Sequence, residues 1–230
     1  MNVAGRAAVV VAVHNEAQVL ASVLEDLLAV FPHVVVVDDG SSDDSAAIAH
    51  AAGAVVLRHA VNLGQGAALQ TGFDYVLSRT PFDYVVTFDG DGQHDPADAH
   101  AMLQFADERS LEAVLGTRHG GGTTGQTRSR RLLLRAGVLF TRLSTGLAVT
   151  DTHNGLRVLS RSALTKLRLS QNGMAYASEL EAAIASRGLR WAEVAVTIAY
   201  TDYSRSKGQR NVNAINVVYD LVSARLRTPR

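Results

Sequence analysis

Phe82-Asp83-Tyr84-Val85-Val86-Thr87-Phe88-Asp89-Gly90-Asp91-Gly92-Gln93-His94-Asp95-Pro96 is the stretch whose reading decides this chain. The apolar, β-branched and aromatic run over 82–86 predicts a buried strand. Asp89 and Asp91 lie two apart where that strand ends, so an extended backbone turns both carboxylates to one side. Gly90 and Gly92 leave room beside them for a bulky ligand. The two carboxylates and the amide oxygen of Gln93 make a hard-oxygen set suited to Mg²⁺ or Mn²⁺, ions that keep positions open for substrate phosphates. Taken alone, Asp-Gly-Asp reads more readily as an ordinary turn. Its weight comes from its neighbours.

Upstream, Ala7 to Val13 is a continuous apolar strand of the kind covered on both faces. His14-Asn15-Glu16 and a helix carrying Val19, Leu20, Val23, Leu24, Leu27 and Leu28 follow. A second strand, Val34 to Val37, runs into Asp38-Asp39-Gly40-Ser41-Ser42-Asp43-Asp44-Ser45, where the next helix starts before ending near Gly53. Ala54 to Leu57 is a third strand, and Asn62-Leu63-Gly64-Gln65-Gly66 opens a helix carrying Leu69, Phe73, Val76 and Leu77. This alternation predicts an α/β domain, a parallel sheet with helices on both faces. Ligands of such sheets sit outside the carboxyl ends of the strands, where each of these acidic or glycine-rich turns falls.

Each turn also has a plainer reading. Asp38 and Asp39 suit a solvated loop as well as a nucleobase N–H or ribose hydroxyl, and Asp43, Asp44 and Ser45 suit helix caps. Gly64 and Gly66 lack the third glycine of a dinucleotide fingerprint and follow the third strand, but glycines at a helix start allow close approach of a phosphate or sugar.

Downstream, a helix is expected beyond Pro96 and a strand over Glu112 to Leu115, leading to Gly116-Thr117-Arg118. Residues 119–127 have loop composition. Arg128, Arg130, Arg131, Arg135 and Arg142 punctuate an apolar helix, suited to core packing or to a membrane surface. Asp151-Thr152-His153-Asn154-Gly155-Leu156-Arg157 follows, then helical residues around Ser162 to Leu167. Met174 to Glu181 opens a further helix, and Glu193 to Tyr200 is a late strand. A basic loop over 201–210 leads into an amphipathic helix over 211–230.

The 230 residues, 47% apolar, suit one domain with a substantial core; Lys+Arg and Asp+Glu both total 22, so no net field points to nucleic acid as a partner. The absence of cysteine excludes disulfides and fits a reducing cytosol. No apolar run reaches the ~18 residues of a membrane span and the amino terminus lacks a signal-peptide pattern, so a soluble or peripheral protein is expected.

As a set, these motifs resemble the family-2 glycosyltransferases, and within them the dolichyl- or polyprenyl-phosphate sugar synthases such as dolichyl-phosphate mannose synthase. The matching residues are His14-Asn15-Glu16, Val37 to Asp43, Asn62 to Ala68, Phe88 to His94, Gly116-Thr117-Arg118, Asn154 to Arg157, and Tyr203-Ser204-Arg205-Ser206-Lys207. Val13-His14 stands for the usual Pro-Tyr, and Asn154-Gly155-Leu156 for the usual Ser-Gly-Phe. The resemblance implies a GT-A fold in a single domain over 1–210, with a nucleotide-sugar half over 1–118 and an acceptor half over 119–210. It implies that Val13, Glu16, Asp38, Asp39, Gly64, Gly66 and Asp89 serve the UDP- or GDP-linked donor. Asp89, Asp91 and Gln93 would hold Mg²⁺ or Mn²⁺. Arg118, Arg131, Arg205 and Lys207 would grip the acceptor phosphate, with Asp151 or Glu179 as base or orienting group.

The expected reaction is inverting transfer to polyprenyl (dolichyl, undecaprenyl or decaprenyl) phosphate at the cytoplasmic face of the membrane, with a small membrane protein as a candidate partner. Such a phosphate is a dianion near pH 7 and needs cations more than a base, unlike a sugar hydroxyl. A soluble transferase acting on a glycan hydroxyl and a non-catalytic nucleotide-sugar-binding module are the alternatives.

Overall fold

The computed structural model describes residues 3–118, 149–151 and 154–199. The loop at 119–127, the basic helix expected over 128–147, the carboxyl-terminal helix, and Arg131, Arg205 and Lys207 lie outside the described residues.

Seven strands form one sheet: β1 (Ala7–Val13), β2 (Val34–Asp38), β3 (Val55–Arg58), β4 (Tyr84–Asp89), β5 (Ala113–Thr117), β6 (Arg157–Ser160) and β7 (Trp191–Ala195). Their order is β3-β2-β1-β4-β6-β5-β7. All neighbouring pairs are parallel except those of β6, which runs antiparallel to both β4 and β5. Among the described residues six α-helices pack around it: α1 (Ala17–Val30), α2 (Ser45–Ala51), α3 (Gln65–Arg79), α4 (Pro96–Glu108), α5 (Arg161–Lys166) and α6 (Tyr176–Ser186).

The strand alternation divides the core. Val9, Val11 and Val13 of β1 point to the face where Leu20, Leu24, Leu27 and Phe31 of the α1 region meet Met102 and Leu103 of α4. Ala8 and Val10 point to the opposite face, against Leu69, Phe73 and Val76 of α3 and Leu180 and Ile184 of α6. Burial of each such Val, Leu or Phe contributes roughly 1.5–3 kcal/mol. Sheet residues apolar on both faces thus demand helices on both sides, as the sequence pattern implied.

Two expectations shift. Residues 157–160 form the strand β6, where the sequence pattern led from a loop straight to a helix. The late strand ends at Ala195, and Ile198 makes only an isolated bridge to His94. Asp95 caps α4 by accepting from Ala97 N–H (2.8 Å), with Pro96 in the first turn, so the end of the acidic turn fixes where α4 starts.

Candidate active site

Strand order places the switch point between β1 and β4. The register sets Val13 beside Asp38 and Ala12 beside Asp89, so three neighbouring parallel strands end together and deliver both acidic turns to one edge.

At the end of β4, Asp89 Oδ1 accepts from Gln65 Nε2 (2.9 Å) and Oδ2 lies 3.1 Å from His94 Nε2. Burial works to raise the Asp89 pKa, but His94, Arg157 and Gln65 together hold it below the usual value. Gly155 lies against this carboxylate; a Cβ there would overlap the Asp89 carboxylate oxygens. The preceding β4 side chain of the same face, Thr87, donates to Gly155 O (2.6 Å). Asp91 behaves differently. Burial first, then the charges of Asp89 and Glu16, push its carboxyl up to about 6, although the Gln93 N–H donates to its Oδ1 (3.1 Å).

That crowding of negative charge is what a divalent cation would relieve, and carboxylate oxygens are the donors Mg²⁺ and Mn²⁺ prefer. The residues present therefore fit such an ion. Among the described residues no three His, Cys, Asp or Glu side chains gather closely enough to hold one unaided. An ion at Asp89 and Asp91 would take its other ligands from diphosphate oxygens and water.

The turn after β2 is wired into the protein. Asp38 is fully buried; its Oδ1 accepts from Ser41 N–H (3.0 Å) and its Oδ2 pairs with Arg58 Nε (3.0 Å). Asp39 accepts from Leu63 N–H (2.8 Å), Gly64 N–H (2.7 Å) and His59 Nδ1 (2.7 Å). Burial works against its charge, but these three donors outweigh it and hold the pKa below 3.8. Both carboxylates thus serve the fold first. Asp43 accepts from Ala17 N–H at the start of α1 (3.0 Å), so it stitches the neighbouring turn.

Gly64, at φ +103°, and Gly66 do allow a close approach, but of protein backbone: Gly66 N–H donates to Asn172 O (2.8 Å), and a Cβ on either glycine would strike residues 171–172. Val13 is buried and its carbonyl accepts from Asp39 N–H (2.8 Å). Glu16 precedes α1, with its own N–H donating to Ser45 Oγ (2.9 Å). Gln93 is half-buried, its carbonyl accepting from Ala199 N–H (2.9 Å).

Arg118 and Asp151 come together across 33 residues. Nε donates to Oδ2 and an Nη to Oδ1, both at 2.7 Å, with Arg118 N–H adding a 3.1 Å bond. A carboxylate gripped bidentately by a guanidinium is a weak base, because its lone pairs and charge are already engaged. Glu179 is occupied as well, accepting from Ser170 N–H, Ser170 Oγ and Gln171 N–H. Both expected bases therefore sit in structural bonds.

The sequence held further residues to which no role was given. Gln65 and His94 hold Asp89, and His59 bridges Asp39 and Thr71. Arg157, Tyr176 and Glu181 lie buried nearby. Arg157 was signalled by closing the Asn154–Arg157 motif and by interrupting the apolar Leu156–Leu159 run with a charge.

An open, mostly parallel sheet carrying an acidic pair beside its switch point is an arrangement suited to a nucleotide-dependent transferase. Residues 8–168 match the family model described as Glycosyl transferase family 2, and the chain belongs to that family. It is 28% identical to the UDP-N-acetylglucosamine–dolichyl-phosphate N-acetylglucosaminyltransferase of Methanococcus voltae, over 94% of this chain and 95% of that one. It is also 28% identical to the polyprenol monophosphomannose synthase of Mycolicibacterium smegmatis, over 88% of this chain and 80% of that protein. Glucosyl-3-phosphoglycerate synthase from Mycobacterium tuberculosis, solved with Mn²⁺, UDP and glucosyl-3-phosphoglycerate, superposes with a TM-score of 0.71 at 24% identity. That match covers 94% of this chain and 78% of the other, and the fold is GT-A-like. The protein is a nucleotide-sugar-dependent glycosyltransferase.

Proposed function

We propose that this enzyme transfers a sugar, with inversion, from a nucleoside diphosphate donor to polyprenyl phosphate. The observation that carries the reading is the close acidic pair at the carboxyl end of β4, beside the switch point, in which Asp91 is crowded by the charge of Asp89. Asp89 and Asp91, with Gln93 adjoining, would hold Mg²⁺ or Mn²⁺ against the donor diphosphate. A bound ion supplies charge neutralisation for the departing nucleoside diphosphate, usually the largest catalytic contribution. Glu16, whose charge reaches Asp91, and the edge formed by Val13, Asp38 and Asp39 would border the nucleoside.

Arg118 would meet the acceptor phosphate. Its Nε and one Nη are engaged by Asp151, and that pairing holds the guanidinium in place, which lowers the ordering cost of meeting a phosphate. Arg131, Arg205 and Lys207 would add positive charge. The phosphate acceptor is favoured because its oxygen is anionic at neutral pH and needs no base, while Asp151 and Glu179 are otherwise engaged. The acceptors printed in the names of the two relatives point the same way. Among the described residues no helix is long and apolar enough to cross a membrane; access to a lipid acceptor would come from peripheral docking on the cytoplasmic face, alone or beside a small membrane protein.

The test is a panel of UDP- and GDP-sugars with Mn²⁺ and a short polyprenyl phosphate, set against the dephosphorylated polyprenol and a glycan acceptor. Product only with the phosphate supports the reading. Transfer to the polyprenol or glycan, with none to the phosphate, would overturn it.

A further inference from the structure

The hold that Asp151 has on Arg118 depends on the residue before it. Three successive residues, 149–151, are each pinned. Val149 is fully buried in the core on the α3 and α6 face of the sheet. Asp151 grips the Arg118 guanidinium through both oxygens and accepts from the Arg118 N–H as well. Between them, Thr150 is clamped by Glu193 of β7: its N–H donates to Oε1 (2.7 Å) and its hydroxyl to Oε2 (3.0 Å). The Thr150 hydroxyl also lies 2.8 Å from that of Thr117, the last residue of β5.

The strand register explains the clamp. Glu193 pairs with Leu115 and Ala195 with Thr117, so Glu193 and Thr117 share a face of the sheet as diagonal neighbours. Thr150 spans that diagonal. Its hydroxyl has one proton and a carboxylate only accepts, so the proton goes to Glu193 and Thr117 donates in turn to Thr150. This chain ends on a charge, where hydrogen bonds are roughly twice as strong as neutral ones. Among the described residues both oxygens of Glu193 are spent on Thr150. The acid interrupts an otherwise apolar strand, Trp191–Ala195, for that contact alone.

A carboxylate aims a guanidinium only as well as its own backbone is held. We propose that Glu193 and Thr150 are positioning residues for the acceptor site: Glu193 fixes Thr150, Thr150 fixes where Asp151 presents its oxygens, and Asp151 sets the direction of the Arg118 guanidinium on the rim. Neither Glu193 nor Thr150 touches the acceptor. If they served only to fasten residues 149–151 to the sheet, their loss would lower stability and leave acceptor affinity alone.

The proposal rests on the acceptor-phosphate reading, and the test separates the two. Initial rates are measured in the full chain against a short polyprenyl phosphate at saturating nucleotide sugar. Melting curves and calorimetric UDP binding with Mn²⁺ run alongside, for wild type, Arg118→Ala, Glu193→Ala, Glu193→Gln and Thr150→Val. Glu112→Gln is the control: at the opposite end of β5, Glu112 accepts from Lys166 Nζ (2.8 Å) and Arg190 N–H (3.1 Å). Arg118→Ala should raise the acceptor KM at least about tenfold, the scale of a lost charged hydrogen bond. No turnover with the phosphate, or a wild-type KM in Arg118→Ala, fells the acceptor reading and the positioning claim with it.

Given that rise, Glu193→Ala and Thr150→Val should each raise the acceptor KM about 3–10-fold, because the guanidinium is loosened and not removed. UDP binding should stay at the wild-type level. Glu193→Gln should recover most of the loss, since its amide oxygen can take the Thr150 N–H while its amide donates to the Thr150 hydroxyl. Should Glu193→Ala fail to fold, Thr150→Val and Glu193→Gln decide. A wild-type acceptor KM in the folded Glu193 and Thr150 variants, with only the melting temperature lowered, overturns the proposal. So does an equal rise in Glu112→Gln, which would mark general loosening of β5.

Discussion

Two acidic turns end neighbouring strands of one sheet and are nearly the same in composition, yet they do different work. After β2, Asp38 and Asp39 are buried and between them accept from Ser41, Leu63, Gly64 and His59, while Arg58 adds a cation. After β4, Asp91 accepts one backbone hydrogen bond while facing the charges of Asp89 and Glu16. The shift directions record the difference: Asp39 is held low by its donors, and Asp91 is driven up by burial and like charge. The three donors that Asp39 meets fasten it to its neighbouring loop, whereas Asp91 meets one backbone donor and suits the cation proposed for it.

The largest expected effect is at the second turn. Asp91→Ala should lower Mn²⁺-dependent turnover by at least about a hundredfold, the scale of losing a principal charge-stabilising group. Its melting temperature should hold or rise, because an acid strained by burial and like charge has been removed. Wild-type turnover would place the cation elsewhere and erase the contrast.

Asp39→Asn should show the reverse pattern, costing about 2–4 kcal/mol of stability, since buried N–H donors lose part of their acceptor. The folded carboxyl lies below its usual 3.8, so its contribution is complete above that value and disappears as pH falls through the folded pKa. Denaturation of mutant and wild type should therefore converge in acid. A deficit that persists unchanged at low pH would show that shape, and not charge, makes the Asp39 bond network.

Arg58→Ala should give the smallest change, about 1 kcal/mol or less, because the guanidinium is 60% exposed and water screens its pairing with Asp38. The deficit should shrink further in 1 M salt. A larger, salt-insensitive loss would mean that the first turn depends on its cation as the second is proposed to do.

The chain up to α4 was largely legible in the sequence because its signals are local. The pattern from β1 through α4 is written as apolar strands, capped or glycine-led helices and acidic turns, each decided by residues close to it in the chain. The pairing of β6 was not, because four residues, Arg157–Ser160, acquire their strand character from β4 and β5, which lie far earlier in the chain. The same distance hid the partners of the site residues. Asp89 and Asp91 declared themselves by spacing. That Asp39 is saturated by Leu63, Gly64 and His59, that Asp151 is locked to Arg118, and that Glu179 binds Ser170 and Gln171 depend on tertiary approach.

The reversed direction of β6 has a topological consequence. β5 finishes at Thr117 on the rim that carries Asp89, and β6 begins at Arg157 on that same rim. Arg118, just after β5, and Leu156, just before β6, therefore both lie on the rim that carries Asp89. Changes at Arg118 or Leu156 fall on that rim, whereas changes at 109–112 or 187–190, where the chain enters β5 and β7, fall on the far side.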